Sequence, residues 1–253
     1  MSFQGRALQH GLALGVGHVH GRAYARRGLV VSSPLNGPFQ NAPSFYTNPD
    51  GAIRFLDDFA GANFWHTTNQ PYDGWRLTAI QGTNTLSCAD SHLTLVSGAN
   101  SGDGDSIYWH NSLFLSPSDA KLWFAARLKI DLVTTNFRVG VATPTISGLG
   151  AQLYGIYFNH SYSGGDQHWS VYNEDNTSET TASAGTVPAA DTYIQVGFVA
   201  DAASVKFYVD GELVATLTEN IPQNAMAPFF AMTTALDASH VMYVDYIQGI
   251  QLR

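Results

Sequence analysis

The stretch KLWFAARLKIDL, Lys121 to Leu132, alternates without a break. Leu122, Phe124, Ala126, Leu128, Ile130 and Leu132 fall on one side, and Lys121, Trp123, Arg127, Lys129 and Asp131 on the other. Successive side chains of an extended chain point to opposite faces, so this stretch reads as a β-strand with one face on a core. A helix would scatter the same apolar residues around its circumference. The fold must therefore contain a sheet that buries one side of this strand. Ile194, Val196, Phe198 and Ala200 repeat the pattern.

Shorter runs of the same kind recur from Ile53 onward: IRFLDDF, GWRLTAI, HLTLVSG, SIYWHN, NFRVGVAT, LYGIYFNH, HWSVYNED, PFFAMTTA and HVMYVDYI. Turn residues separate them and helical periodicity is almost absent, which predicts a two-sheet antiparallel sandwich. In VKFYVDGELVATL the Asp210-Gly211 pair marks a hairpin. A three-residue loop, Val209 to Gly211 with Gly211 left-handed, would gather Val205, Phe207, Leu213, Ala215 and Leu217 on the core face. Lys206, Tyr208, Glu212, Val214 and Thr216 would then face outward.

With 253 residues and 45% hydrophobic content, the chain is long enough for one large core. The first part of the sequence is different. Residues 1–51 show no sustained period, are rich in Pro and Gly, and read as an extended arm, with the sandwich spanning 52–253. The arm holds Arg6, Arg22, Arg26 and Arg27, and no carboxylate precedes Asp50. Ala23-Tyr24-Ala25 resembles a leader cleavage site, but Gly11, Gly15, Gly17, His18 and His20 break the apolar stretch before it, so the arm is expected to be retained. Net charge of −8 argues against nucleic-acid binding, and no apolar run reaches the length of a membrane span. Cys88 is the lone cysteine, which excludes an intrachain disulfide and fits assembly in a reducing cytoplasm.

From Leu56 to Arg253 the order of elements resembles the concanavalin A-like jelly roll, the lectin and glucanase sandwich. The carrying residues are LDDF, the long strand KLWFAARLKI, VKFYVDGELVATL, a Pro-containing crossover, PFFAMTT and the closing VMYVDYIQGIQLR. The sequence also resembles virion structural proteins of tailed bacteriophages that use this sandwich, in which a DDF opening and a final VDYI strand followed by Gln and Arg recur. That resemblance implies a capsid decoration protein without enzymatic activity or cofactor, displayed on the outer surface of the particle. Its partners would be the major capsid protein or neighbouring copies, in a homo-oligomer or lattice. Anchoring falls to the arm: its four arginines suit acidic surfaces or backbone carbonyls, and Leu29, Val30 and Val31 could add an edge strand to another subunit.

Two other classes stay open. Glycan recognition by a tail-fibre or baseplate module, directed at a host surface glycan, would need exposed aromatics. Trp65, Trp75, Trp109, Trp123 and Trp169 are available, and Trp123 is the candidate because its strand turns it away from the core. Glycosidases on this sandwich resemble one another in a strand bearing Glu, Asp and Glu at alternate inward positions, because acid and nucleophile must flank one bond. That spacing is missing. Glu174 and Glu179 fall in a Ser/Thr/Asn-rich run that reads as a loop, Glu212 lies on the outward hairpin face, and Glu219 is the remaining glutamate. For metals, Asp103 and Asp105 in NSGDGDS are weak calcium candidates, and an Asp/Gly turn is the simpler reading. His18 and His20 lack a third ligand for a transition metal. Cys88 has only His92 nearby and reads as a small buried hydrophobe.

Overall fold

The computed structural model describes residues 53–57, 59, 75–82, 84–89, 92–109, 111–144, 154–163, 165–176 and 178–252. Among them the chain runs through β1 (Ile53–Asp57), β2 (Trp75–Gln81), β3 (Thr85–Ala89), β4 (His92–Val96), β5 (Gly104–Trp109), β6 (Leu122–Ile130), β7 (Thr135–Ala142) and β8 (Gly155–Ser163). It continues through β9 (Asp166–Asp175), β10 (Ser178–Ser183), β11 (Ile194–Ala200), β12 (Val205–Val209), β13 (Glu212–Leu217), β14 (Ala227–Thr234) and β15 (Val241–Gln251). One sheet has eight strands in the order β13-β12-β11-β6-β15-β4-β3, with β1 pairing β15; the other has seven, ordered β10-β9-β8-β7-β14-β5-β2. Every pairing between these strands is antiparallel. The arm, with Arg6, Arg22, Arg26, Arg27 and Leu29 to Val31, lies outside the described residues.

The alternating residues of β6 do what their spacing requires. Leu122, Phe124, Ala126, Leu128 and Ile130 are buried between the sheets with Phe198, Phe207, Phe158, Phe137, Val139 and Phe230. Leu132 departs from the reading: it lies beyond the strand and is largely exposed. Two strands were not among the runs read from the sequence. β3 is five residues long, and β10, SETTAS, is nearly all hydroxyl and carboxylate side chains. The second of these overturns the loop reading of the run around Glu174 and Glu179.

The hairpin differs from its expected register in an instructive way. Asp210 and Gly211 both have positive φ, 48° and 87°, so the turn is two residues long and Val209 faces Glu212. The register then shifts between Phe207 and Tyr208, and beyond the shift Phe207 faces Ala215 and Val205 faces Leu217. The bulge absorbs the extra residue that a longer loop would have supplied. It also exchanges two neighbours: Leu213, expected in the core, is 54% exposed, and Val214 packs against the core instead. Asp210 is held at the turn by β11, its carboxylate accepting from Gln195 N at 2.8 Å and its own N–H donating to Gln195 O at 2.8 Å.

The closing residues act as a clasp. The Gln251 amide donates to Leu115 O and Ala120 O and accepts from Leu115 N at 2.6 Å, tying the end of β15 to the loop before β6. At the opening of the sandwich, Asp57 accepts from Phe59 N and from Trp75 Nε1, each at 2.9 Å.

Candidate functional site

The face of the seven-stranded sheet turned away from the core assembles residues from every strand. Register alone aligns one row as Thr181, Tyr172, Tyr157, Gly140, Phe229, Tyr108 and Arg76. Four of its seven members are aromatic. The neighbouring row is Ser183, Ser170, Asn159, Arg138, Ala231, Ser106 and Thr78, which is polar except at Ala231. On the other side of the aromatic row, Glu179, Glu174, Gly155 and Ala142 align.

Tyr157 is the hub. Its ring stacks on Tyr172 at 5.1 Å and 7°, and meets Phe229 edge-on at 6.0 Å and 75°. Tyr157 and Phe229 lie on either side of Gly140 in the row, and Gly140 lets them meet: a Cβ there would collide with Ile156 O and with the Tyr157 backbone. Tyr157 and Phe229, with Ala142 and Ala231, form a small closed cluster of their own, and half-buried Tyr108 and Tyr172 sit at its edges. Arg138 lies over the Tyr157 ring at 5.0 Å and donates from Nε to Asn159 Oδ1 at 3.0 Å. Its Nη1 is closed to solvent and has no hydrogen-bond partner. The Tyr157 hydroxyl donates to Glu174 Oε2 at 2.6 Å. Burial is the main force holding this phenol's pKa far above its ordinary value; Arg138 opposes the rise and Glu174 adds to it, so Tyr157 remains a neutral donor.

Glu174 is buried and Glu179, directly opposite it across β9 and β10, is exposed. Facing residues on paired strands have Cβ atoms about 5 Å apart, close enough for two carboxylates to flank one glycosidic bond. Sequence reasoning named both residues and missed their pairing, because the five-residue spacing conceals a hairpin in which Asp175 pairs Ser178. It missed Arg138, Tyr157, Asn159, Tyr172 and Tyr108 altogether. The signal present was polar or aromatic residues at the outward positions of β5, β7, β8 and β9.

The other sequence candidates lie elsewhere. Trp123 is on the outer face of the eight-stranded sheet but only 3% exposed, packed with Ala125 and Ile250 and flanked by Val199 and Leu252. The indole therefore offers no open face for a sugar, contrary to the expectation. Trp75, Trp109 and Trp169 belong to the core between the sheets, and Trp65 lies outside the described residues. Asp103 accepts from Asn100 N at 3.0 Å and Asn100 Nδ2 at 3.1 Å, with its carboxylate wedged where side chains on Gly82 or Gly98 would stand. Asp105 accepts from Asn84 Nδ2 at 3.0 Å, and burial pushes its pKa up to about 6 despite that bond. Both carboxylates are bound up in loop architecture, and no group of three or more His, Cys, Asp or Glu that could hold a metal occurs among the described residues. Burial pushes the Cys88 thiol to about 12, and His92 stacks on Tyr193 rather than serving it. No helix among the described residues is long and apolar enough to cross a membrane.

No protein-family model matches the chain, and no curated protein matches it. Solved structures do. The Emp47p carbohydrate recognition domain aligns over 80% of this chain and 98% of its own with a TM-score of 0.55 at 8% identity. The laminarinase from Flavobacterium sp. UMI-01 aligns over 79% and 99%, with a TM-score of 0.53 at 14% identity. The CBM2 module of the evolved Dit of Lactobacillus casei BL23 phage J-1 aligns over 80% and 96%, with a TM-score of 0.53 at 12% identity. The chain thus has the concanavalin A-like jelly-roll fold. At these identities the likeness speaks for fold alone. It also corrects one expectation: the missing Glu, Asp, Glu strand does not set this chain apart as non-enzymatic, because the fold admits enzymes such as the laminarinase as well as carbohydrate recognition domains.

Proposed function

We propose that this protein recognises a glycan on the outer face of its seven-stranded sheet. The observation that carries the reading is the aromatic row through Tyr172, Tyr157, Phe229 and Tyr108, flanked by Arg138 with Asn159 on one side and Glu174 on the other. Aromatic rings stack on the apolar faces of pyranoses, while charged and amide groups fix hydroxyls. Tyr108 and Tyr172 are the accessible members and the ones a sugar ring would meet first. The carbohydrate recognition domain on this fold supports the reading. The test is a panel of neutral and acidic polysaccharides, titrated against the wild-type chain and against Tyr172→Ala and Tyr108→Ala. Binding weakened at least about tenfold in folded variants is expected, since losing a stacked ring costs roughly 1 to 3 kcal/mol. Absence of binding across the panel, or variants that bind normally, would remove the assignment. Following product release in the same samples asks whether Glu174 and Glu179 also cleave what is bound.

The setting we propose is a phage particle, and the phage J-1 Dit module on the same fold favours it. The sandwich would be displayed on the outer surface of the virion, as a head decoration or a tail module. Arg6, Arg22, Arg26 and Arg27, with Leu29, Val30 and Val31, would hold it to the major capsid protein or to neighbouring copies. Changing the four arginines to Ala should reduce incorporation into particles lacking the protein. Full incorporation of that variant would separate the glycan reading, which survives, from the anchoring one, which does not.

A further inference from the structure

Three connections cross from one sheet to the other at the same end of the sandwich: residues 97–103 between β4 and β5, 131–134 between β6 and β7, and 235–240 between β14 and β15. Backbone bonds tie them together. Ser97 N donates to His240 O at 3.0 Å, Ala235 N to Thr134 O at 3.2 Å and Asp131 N to Val241 O at 3.0 Å. The Ser97 hydroxyl accepts from His240 N at 2.9 Å, and the Ser97 carbonyl accepts from Ser239 Oγ at 2.8 Å. Two histidines complete the junction from inside. His240 Nε2 lies 3.2 Å from Thr134 Oγ1, and His160 of β8 donates from Nδ1 to Thr135 O at 2.6 Å. Both residues are fully closed to solvent. They grip successive residues, Thr134 and Thr135, where the chain enters β7.

A buried imidazole stays neutral because a charge there would lose its hydration. Burial is the main force holding the pKa of His240 below 6.5; Asp131, whose Oδ1 stands 3.7 Å from Nδ1, opposes the fall. Burial likewise lowers that of His160, with Thr135 O and Gln167 opposing and His168 of β9 adding to the fall. The other carboxylates of the crossings are engaged elsewhere: Asp237 accepts from Ser101 N at 2.9 Å, and Asp103 from Asn100 N at 3.0 Å. Among the described residues Asp131 is the one carboxylate paired with either ring. We infer that His240 and His160 form an acid-released junction: uncharged, the two rings hold the three crossings together, and proton uptake by both opens this end of the sandwich while the rest of the two sheets stays folded. The sign follows from linkage. Opened crossings expose rings that take a proton at the ordinary 6.5, whereas the closed junction resists it to lower pH. Stability from the junction is therefore complete above pH 6.5 and is lost as pH falls from there toward the lowered values. Two rings share one opening, so its equilibrium shifts by up to about a hundredfold per pH unit, about tenfold for each proton taken up. The device stands apart from the glycan reading and does not require it.

Hydrogen exchange of the full-length chain, read by mass spectrometry from about pH 7.5 to about pH 5, follows the opening directly. Amide protection in residues 97–103, 131–135 and 235–241, corrected for intrinsic exchange rates, should fall steeply below pH 6.5 while β6 and β11 keep theirs. His240→Gln and His160→Asn each place an amide nitrogen near the lost ring nitrogen without a titrating group. Each should reduce the dependence to about tenfold per pH unit, and the two together should abolish it. Protection that stays constant across the range overturns the inference. So does a loss shared equally by β6 and β11, which would be global unfolding, and so do single variants whose dependence matches the wild type. If a histidine variant does not fold, the wild-type contrast between crossings and strands still decides, and Asp131→Asn provides a second measurement. Without the carboxylate that favours a charged His240, the loss of protection should extend to lower pH, and an unchanged profile counts against the inference.

Discussion

The outer faces of the two sheets carry similar residues and use them differently. On the eight-stranded sheet Arg127 is committed to Asp245 at 2.6 Å and to the Tyr193 ring at 4.3 Å. Lys129 sits over the rings of Tyr243 and Tyr193, with Asp191 at 3.8 Å. Arg127 and Lys129 are thus each matched by an anion and an aromatic ring of the same chain. On the seven-stranded sheet Arg138 has one ring and one amide, and a guanidinium nitrogen with no partner. A surface whose charges are already matched holds strands together, whereas on the seven-stranded sheet the unmatched donor is closed to solvent and the half-buried Tyr108 and Tyr172 are what a ligand would meet. The same inventory of Tyr, Arg and Asx thus serves cohesion on one face and, in the function proposed above, recognition on the other.

The strongest test of this contrast removes one ring from each face. Tyr157→Ala and Trp123→Ala should each destabilise by about 3 to 5 kcal/mol in denaturant melts, as truncation of a buried aromatic does. Only Tyr157→Ala should abolish glycan binding under conditions where both variants remain folded. Loss of binding in Trp123→Ala would break the contrast. A smaller effect concerns Asp105, in β5 of the seven-stranded sheet. Its pKa is raised from 3.8 to about 6 by burial, so the folded state holds its proton more tightly than the unfolded chain does. Stability from this group is greatest below pH 3.8 and is lost as pH rises to 6. Asp105→Asn should therefore stabilise at pH 7, by on the order of 1 to 3 kcal/mol, and should flatten the melting profile between these pH values. A profile identical to that of the wild type would show the carboxyl to be ordinary.

Smaller still is the difference between the arginines. Arg127→Ala should cost about 0.5 to 1 kcal/mol of stability, since its side chain is 42% exposed and the pair is screened, and should leave glycan affinity alone. Arg138→Ala should weaken affinity about tenfold or more, a charge-assisted contact contributing roughly 1.5 to 3 kcal/mol. Equal effects on affinity would erase the distinction between the faces. Smallest is Leu213→Ser in the hairpin, expected within about 0.5 kcal/mol because the bulge has turned Leu213 outward. A core-sized loss there would restore the three-residue loop.

Alternation was enough to place β6 and β11, because each has a core face that only one register satisfies, whereas in β15 a register shift between Val244 and Tyr246 brings both Val244 and Ile247 to the core. The hairpin shows where local reading stops. Leu213 and Val214 are both apolar, so the bulge that exchanges them leaves no trace in composition. β10 was invisible for the opposite reason, since SETTAS has no apolar face at all. The candidate site was the least legible part. Tyr172 and Arg76 stand in one row only through five successive registers, three of them between strands that do not follow one another in the chain, and no window of the sequence contains that information.

β15 governs the order in which the eight-stranded sheet can assemble as well as its arrangement. It lies between β6 on one side and β4 and β1 on the other, so three strands that do not pair with one another meet only through it. During synthesis β1, β4 and β6 all emerge before their common neighbour exists, and their unpaired edges must wait until Val241 to Gln251 leave the ribosome. The eight-stranded sheet is therefore completed only once β15 has been made, and slowly by virtue of its non-local pairing. Until then the half-built sheet is the species most exposed to chaperones and to aggregation.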